Sequence, residues 1–393
     1  PEGLVFNNQN VMLTIENTDP MCYWLTTFLE TALLRAIWYP TTVATNSREI
    51  KKVIYDALVK TGDPLGVNFK LHDFGARGCS SQETAMLGGM AHLVNFLGSD
   101  TISAVLGARK YYNEACASFS IPAAEHSTIT SWGRENEAKA YRNMLKQFAK
   151  PGALVAVVSD SYDIFNAAEH LWGGELRQEV IDSGAILIIR PDSGHPATVV
   201  TQLARILDDR FGSTVNLKGY KVLNNVRIIQ GDGINLESIK EILAVLIGAG
   251  FSADNVAFGM GGALLQAPQR DDQAFAMKCS AILVDGKWVD VYKDPVGDTS
   301  KRSKRGRQML VDESGRGHYK TIPLGLGLHN LDDDVLRTVF LNGKLLVEDD
   351  FTVIRERAAV KLPGSQAARV QHLDRRPLNM NNNPLPEFRF SED

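Results

Sequence analysis

The sequence is poor in cysteine, with four among 393 residues, and none of them forms a CxxC pair. Widely spaced single cysteines are typical of a reducing compartment, so we expect Cys22, Cys79, Cys116 and Cys279 to be free thiols. The histidines form neither an HxH nor an HExxH pattern, which speaks against a dedicated zinc site. We therefore expect no metal site built from protein ligands alone.

Long apolar runs and an excess of positive charge are also missing. No stretch approaches the roughly 18 consecutive apolar residues of a membrane-spanning helix, and residues 1–30 contain polar and acidic groups. The 42 Lys and Arg residues against 46 Asp and Glu give a net charge of -4. These features predict a cytoplasmic protein that uses neither a membrane nor a nucleic acid as its partner.

The sequence does contain a repeated unit, in which a short apolar run is followed by a polar, glycine-containing cluster and then by a helical pattern. The clearest examples are VAVVSD (155–160), AILIIRPDSG (185–194), VRIIQGDG (226–233) and NVAFGMGG (255–262). Continuous apolar runs predict strands covered on both faces, and the amphipathic helices after them predict βα units. After QGDG, the apolar helix face consists of Ile239, Ile242, Leu243, Leu246 and Ile247.

Two earlier units are predicted at FKLHDFG (69–75) and SIPAAEH (120–126), and Ser80 with Glu83 predicts a capping box at the start of the first helix. Strands about 30 to 40 residues apart suit an α/β barrel or a doubly wound sheet. A closed barrel is favoured because polar residues follow nearly every strand. We expect an irregular, TIM-like α/β barrel over residues 66–270.

The sequence outside the predicted barrel has a different pattern of apolar and polar residues. Residues 1–65 together with 271–370 are expected to form a second, mixed α+β lobe built from both ends of the chain. Within it, SAILVDGKWVDVYKD (280–294) predicts a β-hairpin with its turn at Asp285-Gly286. Residues 371–393 are polar and rich in Pro and Asn, which predicts a poorly ordered tail.

A barrel brings the carboxyl ends of its strands to one face, so the polar clusters should meet there. They supply carboxylates, arginines, one histidine and glycine-rich turns, a set that suits a phosphorylated sugar. Plainer interpretations stay open: Arg190 and Asp192 as a structural ion pair, and His126 as a hydrogen-bonded structural histidine. KRSKRGR (301–307) is either a solvated basic surface or a phosphate-binding edge of the same cleft.

Eight motifs in a fixed order carry a resemblance to a known family: HDFGARGCSSQETA, SIPAAEHSTITSWG, VVSDSYDIFNA, LIIRPDSG, IQGDG, AFGMGGALLQ, YKDPV and KRSKRGR. Over about residues 1 to 360, the sequence resembles the type II phosphoribosyltransferases of the nicotinate/nicotinamide branch. The resemblance implies transfer of phosphoribosyl from 5-phosphoribosyl 1-pyrophosphate (PRPP) to nicotinamide, giving nicotinamide mononucleotide and pyrophosphate in NAD salvage. It also implies Mg²⁺ bound with the pyrophosphate or PRPP, ATP as a co-substrate, and a homodimer with its active sites at the interface.

The resemblance also implies roles for individual residues. Phe74 would stack on the pyridine ring, and Asp100 would accept a hydrogen bond from the carboxamide and repel the carboxylate of nicotinate. The residues implied for phosphate, pyrophosphate and ribose are Arg77, Arg190, Gly231, Asp232, Gly262 and Arg270. The residues implied as catalytic are His126, phosphorylated from ATP, Asp160 beside it, and Asp192 near the ribose.

Two positions depart from the family pattern, because Ala76 replaces an aromatic residue and His195 replaces an asparagine. Two other functions compete with the implied one. Nicotinate phosphoribosyltransferase has the same fold, but a carboxylate at Asp100 would disfavour an acidic substrate by roughly 10²-fold. The other is a non-catalytic ligand-binding or signalling fragment that lacks its N-terminal segment.

Overall fold

A computed structural model of the chain describes residues 1–298, 301–315, 317–324 and 331–359. The α-helices are α1 (Leu25–Phe28), α2 (Glu30–Thr61), α3 (Gln82–Leu93), α4 (Ile102–Tyr112), α5 (His126–Thr130), α6 (Glu137–Phe148), α7 (Ile164–Asn166), α8 (Arg177–Ser183), α9 (Pro196–Phe211), α10 (Leu236–Gly248), α11 (Gly262–Leu265) and α12 (Phe351–Ala358). The strands are β1 (Leu71–Asp73), β2 (Gly98–Ser99), β3 (Leu154–Val158), β4 (Ile186–Arg190), β5 (Ser213–Val215), β6 (Lys221–Leu223), β7 (Val226–Gln230), β8 (Val256–Met260), β9 (Ala281–Val284), β10 (Lys287–Asp290), β11 (Gln308–Asp312), β12 (Tyr319–Pro323), β13 (Phe340–Leu341) and β14 (Lys344–Leu345).

Six strands form one parallel sheet in the order β2-β1-β8-β7-β4-β3. Five of them are runs that the sequence predicts as strands, and β2 is a short addition. Burial alternates along β4, where Leu187 and Ile189 are fully buried and Ile188 and Arg190 are only partly so. Side chains of a strand point alternately to its two faces. Strand β4 therefore has one tightly covered side and a more open one, whereas β7 and β8 are buried along most of their length.

Residues 119–124 join the two edge strands of this sheet. The Phe119 N–H donates to Leu97 O (2.8 Å) beside β2, and the Ala124 N–H donates to Ala156 O (2.9 Å) in β3. Both contacts have parallel β-bridge geometry. Seven segments thus follow one another around a ring in chain order. The predicted irregular α/β barrel is confirmed, and its least regular member is the predicted SIPAAEH segment.

Amphipathic helices cover the outer face of the ring. In α10, Ile239, Ile242, Leu243 and Leu246 are buried, as predicted, while Ile247 is partly exposed. Burying each such side chain stabilises the fold by about 1.5 to 3 kcal/mol relative to exposure. The apolar spacing of α10 therefore decides which of its faces packs on the sheet.

Helix α3 begins one residue later than its sequence predicts. The Ser81 hydroxyl accepts a hydrogen bond from the Thr84 N–H at 3.1 Å, and the Ser81 backbone is extended. Ser81 is therefore the N-cap, and the predicted capping box of Ser80 and Glu83 is wrong. Two adjacent serines offer equivalent caps, so the local sequence does not discriminate between them.

The predicted hairpin near residue 285 is confirmed, because β9 and β10 pair antiparallel. Asp285 and Gly286 both have positive φ, 47° and 75°, which a two-residue type I′ turn requires. The start of the chain lies against β12, where the Val11 N–H donates to Thr321 Oγ1 at 2.8 Å. The division into a barrel and a second lobe stays a prediction, and the predicted tail, residues 371–393, lies outside the described residues. Within the described ranges, no helix is both long and apolar enough to cross a bilayer.

Candidate active site

A cavity of about 400 Å³ opens where β1, β4, β7 and β8 end. Because these strands are parallel, the loops that follow them meet at the same face of the ring. The sequence-predicted site residues that line the cavity are Phe74, Arg77, Arg190, Asp192, Gly231, Asp232 and Gly262. The other lining residues are Gly75, Gly78, Gly233, Ile234, Asn235, Gly261, Ala263 and Gln266.

Phe74 is fixed at the cavity wall by its backbone and by a glycine. Its N–H donates to Met260 O at 3.0 Å, which extends the pairing of β1 with β8. A Cβ atom placed on Gly259 would lie 2.0 Å from Phe74 Cε2, so the ring occupies space that only glycine leaves free. The guanidinium carbon of Arg190 lies 5.9 Å from the ring centroid. A flat aromatic ligand can stack on a ring held in this way.

Arg190 and Asp192 form an ion pair at the end of β4, with Nη2 of the arginine 2.9 Å from Oδ2 of the aspartate. The Arg190 Nε is buried and has no hydrogen-bond partner among the described residues. A Cβ atom on Gly231 would lie 3.7 Å from that nitrogen and 3.3 Å from Asp192 Oδ1. An unpaired buried N–H of a guanidinium costs free energy unless an anionic oxygen meets it. The pair is thus a structural feature that also offers a free donor beside the cavity.

A second cluster joins His126, Asp160 and Ser193. His126 Nε2 lies 2.9 Å from Asp160 Oδ1, and the Ser193 hydroxyl donates to Asp160 Oδ2 at 2.7 Å. The Asp160 side chain is 5% exposed, whereas that of His126 is 44% exposed. An ionised carboxylate only accepts hydrogen bonds, which assigns the proton of a neutral His126 ring to Nε2. Nδ1 then carries the free lone pair.

Asp100 does not line the cavity but lies after β2, next to Phe74, which follows the neighbouring strand β1. Asp73 pairs with Ser99 in the register of β1 and β2, so Phe74 and Asp100 are the next residues on neighbouring strands. The Asp100 N–H donates to Asp73 O at 3.0 Å. Its Oδ1 accepts from the Ser120 hydroxyl at 2.6 Å. The two residues predicted to contact the pyridine therefore leave adjacent strand ends.

Arg270 is not brought to the cavity. Its Nη2 lies 2.7 Å from Asp271 Oδ1, and its Nη1 donates to Phe275 O at 2.6 Å. The predicted contact of Arg270 with the ribose or phosphate stays a prediction.

The basic segment KRSKRGR makes local contacts. Arg302 Nε lies 2.5 Å from Asp294 Oδ1, and the Arg307 guanidinium carbon lies 4.6 Å from the Trp288 ring centroid. The segment does not line the cavity. These contacts favour the interpretation as a basic surface over a phosphate-binding edge within one chain.

Asp73 is a fully buried carboxyl group directly before Phe74. Its Oδ1 accepts from the Gly75 N–H at 2.8 Å, while its Oδ2 has no hydrogen-bond partner among the described residues. Burial raises the pKa of Asp73 to about 6, and the hydrogen bond from Gly75 offsets only part of that rise. The group therefore changes charge close to neutral pH, within the turn that presents Phe74.

We expect the Asp73→Asn variant to remove a pH dependence of stability. Between the ordinary pKa of 3.8 and the folded value of about 6, the folded protein keeps a proton that the unfolded chain loses. The parent should therefore lose roughly 2 kcal/mol of stability relative to the variant as pH rises from 4 to 7. Urea unfolding across this range measures the difference, with the exposed Asp209→Asn variant as control. Parallel curves for parent and Asp73→Asn would show that Asp73 ionises normally.

A second cavity, of about 450 Å³, lies where β3 begins, at the opposite end of the strand from Asp160. Its lining residues are Ser120, Ile121, Pro122, Gln147, Phe148, Ala149, Lys150, Ala153 and Leu154. Lys150 is the charged residue in that set, and no carboxylate faces it there. Opposed charges at strand ends make the first cavity the better candidate for chemistry, despite its smaller volume.

Metal ligands are not clustered in the described ranges, where no three His, Cys, Asp or Glu side chains group as they would around an ion. Mg²⁺ is usually bound by one or two carboxylates together with substrate phosphates. Asp192 and Asp232 both line the cavity and can supply such carboxylates. The donor set thus fits an ion that arrives with a phosphorylated substrate.

Sequence reasoning missed three residues that shape the site: Ser193, Gly259 and Gln266. Gln266 donates from Nε2 to Gly75 O at 3.1 Å, which ties the turn after Phe74 to α11. Ser193 and Gly259 lie inside motifs that the sequence does highlight, RPDSG and AFGMGG. Their positions at strand ends were the available signal, but their contacts depend on residues distant in sequence.

The ring of parallel strands and the cavity at its carboxyl end define an α/β-barrel protein with a cavity lined by arginines, aspartates and glycines. Residues 69–344 match the nicotinate phosphoribosyltransferase (NAPRTase) family. The chain is 58% identical over 362 residues to a nicotinamide phosphoribosyltransferase of Xanthomonas campestris pv. campestris, covering 91% of this chain and 77% of that protein. It is 31% identical over 384 residues to that of Acinetobacter baylyi, covering 92% and 75%.

Among solved structures, nicotinate-nucleotide pyrophosphorylase from Pyrococcus furiosus has a similar fold. The TM-score is 0.54 at 21% sequence identity, covering 84% of this chain and 71% of that one. This likeness concerns the fold alone. On the family match and the identity to its relatives, the chain belongs to the nicotinate phosphoribosyltransferase family.

Proposed function

We propose that the chain is a nicotinamide phosphoribosyltransferase, which transfers phosphoribosyl from PRPP to nicotinamide in NAD salvage. The observation that carries the proposal is the shared cavity: the Phe74 ring and the Arg190–Asp192 pair face the same space of about 400 Å³. That volume suits a small ligand with an aromatic part and an anionic part. The relatives with 58% and 31% identity are both named nicotinamide phosphoribosyltransferase, which supports the proposal.

Arg190 and Arg77 are proposed to bind the phosphate and pyrophosphate oxygens of PRPP. The free Nε of Arg190 and the positive end of the α10 dipole, next to cavity residue Asn235, both favour anions there. Gly231 and Gly262 leave room for the ribose and its phosphate to approach the backbone. Arg270, which pairs with Asp271, would have to exchange that partner in order to contribute.

Asp192 and Asp232 are proposed to face the reacting C1 carbon of the ribose. Departure of pyrophosphate gives that carbon oxocarbenium character, which fixed carboxylates stabilise. The same two carboxylates would hold Mg²⁺ with the substrate's phosphates, and the ion supplies charge neutralisation of the leaving pyrophosphate.

Phe74 and Asp100 are proposed to select the pyridine substrate. The Phe74 ring would stack on nicotinamide, and Asp100 would accept a hydrogen bond from its carboxamide. Ser120 already donates to one oxygen of Asp100, which fixes the carboxylate and leaves the other oxygen for a ligand. Nicotinate phosphoribosyltransferase is the alternative, and the negative charge of Asp100 argues against it.

His126 is proposed to be the acceptor of a phosphoryl group from ATP. Asp160 would orient the ring through Nε2, which presents Nδ1 as the nucleophile. A phosphoryl group on His126 adds negative charge beside the substrate site and so changes its affinity for substrates. ATP turnover would then drive the transfer toward product.

We also propose a cytoplasmic homodimer whose partner completes the site. Helix α4 directly follows Asp100 and exposes Ile102 and Leu106 on one face. Arg77 is likewise exposed while it lines the cavity. Exposed apolar side chains next to a binding site are typical of a surface that another subunit covers.

The direct test is to incubate the purified chain with nicotinamide, PRPP and Mg²⁺, with and without ATP, and to quantify nicotinamide mononucleotide. We expect the product in both reactions and more of it with ATP. Label from γ-³²P ATP should appear on the parent and be absent from His126→Ala. Absence of product under every condition would favour the non-catalytic alternative, and a preference for nicotinate would favour the other enzyme.

We expect Asp100→Asn to relax the choice between the two pyridines. Without the negative charge, the discrimination against nicotinate should fall by roughly 10²-fold, because an amide does not repel a carboxylate. Competition between labelled nicotinamide and nicotinate measures the ratio of their kcat/KM values. The exposed Asp56→Asn variant, on α2, is the control and should keep the parent ratio. An unchanged ratio in Asp100→Asn would remove Asp100 from the specificity site.

A further inference from the structure

The turn after β4 serves two clusters at once. Asp192 pairs with Arg190 beside the cavity, at 2.9 Å, while the next residue, Ser193, donates from its hydroxyl to Asp160 at 2.7 Å. Asp160 in turn contacts His126 at 2.9 Å. Two adjacent residues of one turn therefore contact the proposed substrate site and the His126–Asp160 pair.

Asp160 is held between its two partners. Its Oδ1 contacts His126 and its Oδ2 accepts from Ser193, and the side chain is only 5% exposed. A buried carboxylate that loses a donor is left with a desolvated oxygen, which is costly. Asp160 should therefore follow the Ser193 hydroxyl when the turn moves, and its orientation toward His126 should change with it.

The backbone of the turn favours movement as one unit. Gly194 has a φ of +85°, and a Cβ atom there would lie 2.9 Å from Val199 Cγ2 in helix α9. This left-handed, close-packed glycine anchors the turn to α9 on one side. On the other side β4 ends at Arg190. Asp192 and Ser193 are adjacent residues in the short segment between these two anchors.

We propose that Ser193 is a positioning residue that transmits ligand binding at Arg190 and Asp192 to the His126–Asp160 pair. The inference rests on the proposed function, in which a phosphate-bearing substrate binds the first pair and His126 accepts a phosphoryl group. A ligand that engages Arg190 shifts the turn, and the Ser193 hydroxyl carries the shift to Asp160 Oδ2. The coupling is reciprocal: if PRPP binding changes the equilibrium for phosphorylation of His126 by some factor, phosphorylation of His126 changes the affinity for PRPP by the same factor.

The test uses the full chain with ¹⁵N-labelled histidine, titrated with PRPP and Mg²⁺. The His126 ring signal is assigned by its loss in His126→Gln. In the parent and in Ser193→Thr, which keeps the hydroxyl, we expect the signal to shift as the ligand saturates. In Ser193→Ala the shift at saturation should fall to less than about half, because the relay is broken. Ser127→Ala removes an exposed hydroxyl next to His126 and should behave as the parent.

Affinity gives a second measurement on the same samples. Calorimetry of PRPP binding should show that His126→Gln changes the dissociation constant by about fivefold in the parent background and by less than about twofold in Ser193→Ala. Three results would each overturn the proposal. They are ring shifts that are equal in the parent and Ser193→Ala, effects of His126→Gln that are equal in both backgrounds, and a His126 signal of the parent that does not change when the ligand binds. Neither readout requires product, so failure of the enzyme assay and failure of the relay are distinguishable.

Discussion

Replacing Arg190 by lysine is expected to lower kcat/KM for PRPP by about 10²-fold, although the positive charge is retained. Nη2 of the arginine pairs with Asp192, and its buried Nε stays free beside Gly231. Two donor nitrogens of one planar group are therefore available to different partners. A lysine ammonium is a point charge on a flexible stem. It can pair with Asp192 or reach the ligand, but it cannot present the same fork to both.

The measurement is steady-state kinetics with PRPP varied at saturating nicotinamide. Arg205→Lys is the matched control, because Arg205 is exposed on α9 and does not line the cavity. Its kcat/KM should stay within about twofold of the parent, as surface substitutions usually do. Arg190→Lys kinetics equal to those of Arg205→Lys would reduce Arg190 to a structural ion pair. In a second series nicotinamide is varied at saturating PRPP, and a loss seen only in that series would contradict the assignment of Arg190 to PRPP.

The barrel was predictable because its strands have a strong sequence signal. Runs such as AILII are apolar without alternation, which indicates strands covered on both faces. Their polar ends, Arg190 and Asp232, then had to meet once the strands were parallel. The weakly patterned segment 119–124 was also placed correctly in order, although it lacks regular strand geometry.

Contacts between segments distant in sequence were not predictable. Phe74 rests on Gly259, and Gln266 holds Gly75, over separations of nearly two hundred residues. No local sequence feature distinguishes a glycine that makes such a contact, because a glycine at the end of any strand also predicts a turn. The ion pair of Arg270 with Asp271 is a local contact, and the predicted role of Arg270 at the cavity stays a prediction.

The burial of Asp73 was also not predictable from the sequence. Asp73 reads as one more carboxylate at a strand end, like Asp192 and Asp232, yet its side chain is fully buried and its pKa is raised to about 6. The sequence gives no way to tell which face of β1 carries it. Helix α3 decides this, because Gly89 lies so close to Asp73 that its Cβ position would be 3.2 Å from Oδ2.

The second large effect is expected from Gly259→Ala, a single added methyl group. The new Cβ would lie 2.0 Å from Phe74 Cε2, so the ring must leave its position on β8. Displacing a substrate-positioning group by about 1 Å can cost 10²-fold in rate, and we expect a rise of that order in KM for nicotinamide. Crowding should also lower the free energy of unfolding by about 1 to 3 kcal/mol.

Two further variants separate displacement of Phe74 from general damage to the fold. Gly248→Ala, at the end of α10, places its Cβ where nothing lies within 4 Å, so activity should be unchanged. In a Phe74→Ala background the clash is absent, and adding Gly259→Ala should then change KM by less than about twofold. An equal penalty in both backgrounds would mean that Gly259 acts through the strand. Only a penalty that depends on the Phe74 ring supports its proposed contact with the pyridine.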